Sequence, residues 1–422
     1  MAAQQTFYGW KLVAVLFFLY VLNLGFPLYG GLILHSYMVQ KIAMNRATFG
    51  LGMTVFNIVM GVMSPLIAAA ITRWGIRVTL VIGTALLVLG SLVMANTTQP
   101  WQYILGFGVL MGAGAGFGTS VTLTTSATRW FRRYRGRAIG IIMAAGGIGG
   151  FVVSPAMNRL MVFNGGNWHQ AWLLIGGCCI LGGIIAWLFV KEDPSDLGQF
   201  QDGIAPASTT EDSPKASTLS ADYPWTAAEG YKTLAYWLIV FVGFAMYFPY
   251  FLVQAHWIFH MKGIGLSAAD AAWTMGLFTL SGVFGRMIGG WFQDIFPARF
   301  VFVMGLALMA VGIALGGLFS AGSILLAYLA SVILGFGFGS SVTNLPTILG
   351  NYFGHDAFSK LYGTAFMIAL IIASFAGILG GKLFDLFHSY YVAWEICIAI
   401  SAAGIVALFF TVPPQPVRPT NK

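Results

Sequence analysis

Long apolar stretches, each bounded by a short polar or charged turn, recur along the whole chain. They fall approximately at 10–38, 47–71, 78–97, 101–127, 138–162, 170–190, 234–260, 267–292, 300–320, 323–349, 361–384 and 391–412. Each is near the roughly 20 residues needed to cross a hydrocarbon core about 30 Å thick. The runs are continuous and rich in Gly, Leu, Ile, Phe and Met, which excludes barrel strands of about ten alternating residues. The pattern therefore predicts an all-α integral membrane protein of twelve transmembrane helices. The first run is too long for a signal peptide and no cleavage site follows it, so it reads as a permanent span.

One segment interrupts the pattern. Residues 191–230 begin Lys-Glu-Asp-Pro-Ser-Asp and continue in Ser, Thr, Pro, Ala and scattered acids. That composition cannot bury a core, so it reads as a cytoplasmic linker between six-helix bundles at 1–190 and 231–422. The halves repeat in parallel. Phe26-Pro27 matches Phe248-Pro249, and Arg77 matches Arg299, each 222 positions later. Gly116-Phe117-Gly118 with Ser120-Val121-Thr122 matches Gly337-Phe338-Gly339 with Ser341-Val342-Thr343 at 221. Six plus six spans with such a repeat form the arrangement in which two bundles rock about a central site.

Composition agrees, with 58% apolar and 8% charged residues. The net charge of +8 does not call for a nucleic-acid partner, because of where the charges lie. With a cytoplasmic N-terminus, Lys11, Arg73, Arg77, Arg129, Arg132, Arg133, Arg135, Arg137, Lys191, Lys215, Lys232, Arg299, Lys360, Arg418 and Lys422 fall inside. Only Lys41, Arg46, Arg159, Lys262 and Lys382 fall outside, and Arg286 lies within a span. This positive-inside bias predicts a multi-pass protein of the cell membrane with both termini cytoplasmic. Cys178, Cys179 and Cys397 lie in apolar runs and read as small hydrophobes. No motif calls for a cofactor or metal, and no Gly-rich loop ending in Gly-Lys-Ser/Thr supports an ATP-driven pump.

The chain resembles the major facilitator superfamily, and within it the monocarboxylate transporters and oxalate/formate-type antiporters. The residues that carry the resemblance are Tyr8-Gly9-Trp10, the run Arg129-Trp130-Phe131-Arg132-Arg133-Tyr134-Arg135-Gly136-Arg137-Ala138-Ile139-Gly140, and Gly285-Arg286. The resemblance implies a cytoplasmic latch between the bundles, with Arg73, Arg77, Arg135 and Asp294 as its candidates. The superfamily's Gly-x-x-x-Asp-Arg-x-Gly-Arg loop departs from pattern here: Thr72-Arg73-Trp74-Gly75-Ile76-Arg77 lacks the acid, while Gly289-Gly290-Trp291-Phe292-Gln293-Asp294 keeps one.

Arg286 is the leading site residue. A charge at membrane depth costs at least roughly 2.5–3.5 kcal/mol and needs an anion, which the neighbouring sequence does not supply. The resemblance implies that this arginine binds a substrate carboxylate, and its planar fork suits bidentate pairing. The aspartate that animal relatives carry one turn earlier is Gly282 here, and the span 11 lysine of oxalate/formate antiporters is absent from Phe366-Met367-Ile368-Ala369-Leu370. One fixed cation favours one carboxylate. No Asp or Glu lies mid-span, so His256 is the candidate for proton coupling and a second substrate contact. Tyr29 and Tyr250, beside Pro27 and Pro249, and Asn344 are further candidate cavity residues. His35 and His260 read as packing near the outer ends, and the hydroxyls of 119–126 as bonded to their own helix.

These features predict a secondary transporter, functional as a monomer, that moves a lactate- or pyruvate-sized monocarboxylate by proton symport and alternating access. An organic-anion antiporter is the alternative, and a carboxylate sensor built on the transporter fold the more distant one. Nothing in the spans resembles an enzyme site, since clustered carboxylates and nucleophile constellations are missing.

Overall fold

A computed structural model describes residues 6–38, 42, 46–205, 223–318 and 323–415. The middle of the linker, both chain ends, and Lys41, Lys215, Arg418 and Lys422 lie outside the described residues. The described residues form helices and turns, with no strand among them. Nine helical runs among the described residues are long and apolar enough to cross a membrane.

Two of those runs are each divided at a glycine of positive φ. Gly75 (φ 83°) separates α2 (46–74) from α3 (76–95), and Gly354 (φ 69°) separates α10 (324–353) from α11 (355–387). A side chain is strained in that conformation, so glycine reverses the chain there. The remaining long helices are α1 (Gly9–Met38), α4 (Pro100–Trp130), α5 (Arg135–Phe163), α6 (Trp168–Phe189), α7 (Leu234–Gly263), α8 (Ala268–Gln293), α9 (Ala298–Leu318) and α12 (Tyr391–Phe410). Side-chain caps start several of them: Asn167, Thr233, Ser267 and Ser323 accept from Gln170, Tyr236, Asp270 and Leu326.

The two matching prolines of the repeat sit in different local geometry. Pro27 lies in a wider-wound stretch, Val21–Gly30, whereas α7 runs without a break through Pro249. The α4 hydroxyls bond back along their own helix, Thr124 to Ser120 O, Thr125 to Val121 O and Thr128 to Thr124 O.

The linker is less free than its composition predicts. Glu192 accepts the backbone N–H groups of Ile76 (2.8 Å) and Arg77 (2.9 Å), capping α3, and pairs with Arg129 at 3.2 Å. Asp202 accepts those of Arg132 (3.0 Å), Arg133 (2.7 Å) and Tyr134 (3.2 Å), just before α5. Gln199 accepts from Tyr8 N. Residues 191–204 are thus strapped to the first half, while Trp225 and Tyr231 dock on Phe353 and the Lys360 carbonyl of the second.

The halves meet on the face that carries the ends of α1 and α12. There α5 packs against α8 and α2 against α11, through glycines. A methyl group at Gly136 would run into the Gly290 carbonyl, one at Gly140 would sit 2.5 Å from the Arg286 carbonyl, and one at Gly363 2.8 Å from that of Ser64. These contacts extend from that face to about the midplane. Beyond them lies a cavity whose lining includes the exposed Gln254.

Candidate anion-binding site

Arg286 lies eight residues before Asp294, about 12 Å deeper along α8 at about 1.5 Å per residue. Its guanidinium faces a cavity of about 90 Å³ between the halves, lined by Tyr29, Gly147, Tyr250, Gln254, Phe278, Thr279, Gly282, Arg286 and Phe338. Tyr250 and Phe338 stack with centroids 3.9 Å apart and planes 7° apart, and Phe278 continues the stack 6.2 Å from Phe338. The guanidinium carbon sits 5.7 Å from the Phe338 centroid, a cation–π contact that orients the fork without neutralising it.

Among the described residues Arg286 makes no ion pair. Glycines flank it. A methyl group would lie 3.4 Å from Nη1 at Gly282 and 3.3 Å from it at Gly147, so the two glycines let the guanidinium sit against the backbones of α8 and α5. The hydroxyls of Tyr20, Tyr29, Tyr247 and Tyr250 lie within electrostatic range of the same guanidinium. Phenols donate as well as accept, so they complement a carboxylate oxygen the arginine does not reach.

The other sequence-predicted residues divide. Tyr29 and Tyr250 line the cavity beside Arg286. His256 does not line it. Its Nε2 donates to the Gly377 carbonyl at 2.7 Å, next to the turn at Phe375 that interrupts α11, which leaves Nδ1 to accept from Tyr390 Oη at 3.2 Å. Asn344 is fully buried in the second half, with Nδ2 bonded to Ser340 O in its own helix. His35 is buried edge-on among Phe49, Tyr103 and Phe107, and His260 Nε2 faces the Gly316 carbonyl.

The latch candidates also divide. Asp294, just beyond α8, accepts the N–H groups of Gly136 (2.8 Å) and Arg137 (3.3 Å) in the first turn of α5 and pairs with Arg137 Nε at 3.0 Å. Burial pushes its carboxyl up to about 7 against these favourable contacts. Arg135, buried, donates to Asn351 Oδ1 at 2.9 Å, again across the halves. Arg77 instead ties the first half to itself, Nε donating to Val190 O at 3.0 Å, and Arg73 is exposed over Trp74. Sequence reasoning missed Arg137, Asn351, Thr279 and Gln254. Gln254 was findable, since it follows Tyr250 by four residues and so shares its helical face.

Known proteins give the same architecture. A protein titled FucP, solved in the outward conformation, superimposes with a TM-score of 0.72 at 14% identity, covering 95% of this chain and 98% of that one. Monocarboxylate transporter 12 of Rattus norvegicus is 22% identical over 350 residues, 79% of this chain and 71% of the relative. Monocarboxylate transporter 11 of Homo sapiens is 26% identical over 333 residues, 76% of this chain and 64% of the relative. The family model described as Major Facilitator Superfamily matches residues 12–258 and 251–422, so the chain belongs to that superfamily and is a multi-pass membrane transporter, not an enzyme.

Proposed function

We propose that the chain is a twelve-span, two-bundle secondary transporter that moves a small monocarboxylate of lactate or pyruvate size with a proton by alternating access. The observation that carries the reading is the Arg286 guanidinium: unpaired among the described residues, flanked by Gly147 and Gly282, and facing a cavity of about 90 Å³. Such a charge binds an anion more favourably than it stays unpaired at membrane depth. The cavity's size favours a few-atom acid, and the relatives named monocarboxylate transporters point the same way. The orientation follows the positive-inside bias, with both termini cytoplasmic.

For the proton, the reading assigns His256 an indirect role. Protonating Nδ1 turns it from acceptor to donor, so the Tyr390 hydroxyl reverses and accepts, and a positive charge then stands behind α7, the helix that carries Tyr250 and Gln254 on the cavity. Uptake into proteoliposomes tests the reading: an inward proton gradient without internal substrate should drive accumulation of lactate or pyruvate, and Arg286→Gln should abolish it. The second reading, carboxylate exchange, is favoured by His256 lying off the cavity and Gly282 standing where animal relatives carry an aspartate. Strict dependence on preloaded anion would establish exchange and reject symport.

A further inference from the structure

On the lipid-facing side of the first half, α3 and α6 part to leave a groove of about 610 Å³, several times the volume of the cavity at Arg286. Val81, Ala85 and Leu89 form one wall, Ile180, Ile184 and Leu188 the other. From Val81 to Leu89 the groove follows α3 for about 12 Å toward the midplane. Its cytoplasmic end is cationic. Arg77 stands one turn before Val81, with its guanidinium carbon 5.7 Å from the ring of Trp187, which is itself on the groove.

Among the described residues, the Arg77 side chain donates only through Nε, to Val190 O. The nearby carboxylate, Glu192, is engaged by the backbone N–H groups of residues 76 and 77 and by Arg129, and among the described residues no acid pairs with the Arg77 side chain. Arg73, exposed one turn earlier, has no ion pair among them either. An apolar groove at membrane depth thus ends in a free arginine fork beside a tryptophan, at the level where a helix leaves the bilayer. Phosphate oxygens suit that fork, and an aromatic ring suits the interface. The groove's lining residues carry no acid that could neutralise Arg77 from within it.

We propose that the α3/α6 groove holds one acyl chain of an anionic phospholipid of the cytoplasmic leaflet, with its phosphate on Arg77 beside Trp187. The preference over a zwitterionic lipid comes from the unneutralised pair Arg73 and Arg77, which attracts net negative charge and opposes a headgroup ammonium.

The test measures binding of phosphatidylglycerol and of phosphatidylcholine with identical acyl chains to the purified full chain in detergent, by native mass spectrometry. Phosphatidylglycerol should bind with a preference of about fivefold or more, the contribution of about one well-placed arginine. Arg77→Gln should remove most of that preference, leaving only the share of Arg73, and Arg77→Lys should keep more of it. Ala85→Phe, at an exposed wall position, should weaken both lipids, and inorganic phosphate should not compete. Equal affinity for the two lipids would overturn the proposal, as would an unchanged preference in Arg77→Gln. So would cross-linking of two copies through Ile184→Cys that is blocked by Ala85→Phe, which would mark the groove as a dimer contact.

Discussion

Replacing Arg286 with Gln separates a binding arginine from a structural one, because the two roles move stability in opposite directions. In the free protein the guanidinium is held by a cation–π contact to Phe338 worth about 0.5–2 kcal/mol, against an insertion cost of roughly 2.5–3.5 kcal/mol partly relieved by the cavity. Removing the charge should therefore leave the unliganded melting temperature unchanged or higher. Binding should suffer instead. Loss of a bidentate charge-assisted pair costs about 2–5 kcal/mol, or between roughly 30-fold and a few thousandfold in Kd. Ligand-dependent thermal shift reads both effects. At 100 times the wild-type Kd a carboxylate adds about 2.7 kcal/mol of stability, and a variant with a 100-fold higher Kd gains only about 0.4 kcal/mol at the same concentration. A wild-type shift in Arg286→Gln would refute the anchoring role, and a folded wild type beside a collapsed variant would assign the arginine to structure.

Three further outcomes follow from the same geometry. Gly282→Asp should place a carboxylate against Arg286 Nη1, since a methyl there already lies 3.4 Å from it. Equilibrium binding of lactate or pyruvate should weaken at pH 7 and recover on acidification as the new carboxyl takes up a proton; pH-independent binding would contradict the placement. The Asp294 carboxyl has a pKa of about 7 in the closed latch against 3.8 ordinarily, so the closed state holds the proton more tightly. Its advantage is complete below the ordinary value and lost as pH rises through about 7. Spin-label distances between the ends of α5 and α8 should accordingly shorten from pH 8 to pH 6, and Asp294→Asn should flatten that dependence. Gly136→Ala should destabilise the closed contact by about 1–3 kcal/mol, because its methyl meets a backbone oxygen that cannot turn aside. The same labels should then report separation at all pH values; an unchanged distance would show that α5 and α8 can slide to accommodate it.

Arg286 was legible from sequence because one charge in an apolar run has no local explanation, and Tyr29 and Tyr250 because they flank the prolines of the repeat. His256 lies off the cavity for a reason of helical geometry. Six residues turn α7 by about 600°, so with Tyr250 on the cavity His256 faces about 120° away, toward α11 and α12. Asn344 shows a different limit: a polar side chain in a span finds a partner in its own helix as readily as in a cavity, and sequence alone does not choose. The linker was read from composition as free, but its bonds reach far along the chain, from Asp202 to residues 132–134 and from Gln199 to Tyr8. Long-range partners of this kind leave no periodic trace.

The contact between the halves is capped by an acid on one side only. Asp294 bridges α8 to α5, whereas Thr72, its counterpart 222 positions earlier, spends its hydroxyl on Ala68 O in its own helix. The α5/α8 seam is therefore held by charge and hydrogen bonds through one acid, while the α2/α11 seam is a glycine-to-backbone fit between Gly363 and Ser64. In the proposed alternating-access cycle, the Asp294 contacts are the ones that must break before α5 and α8 part.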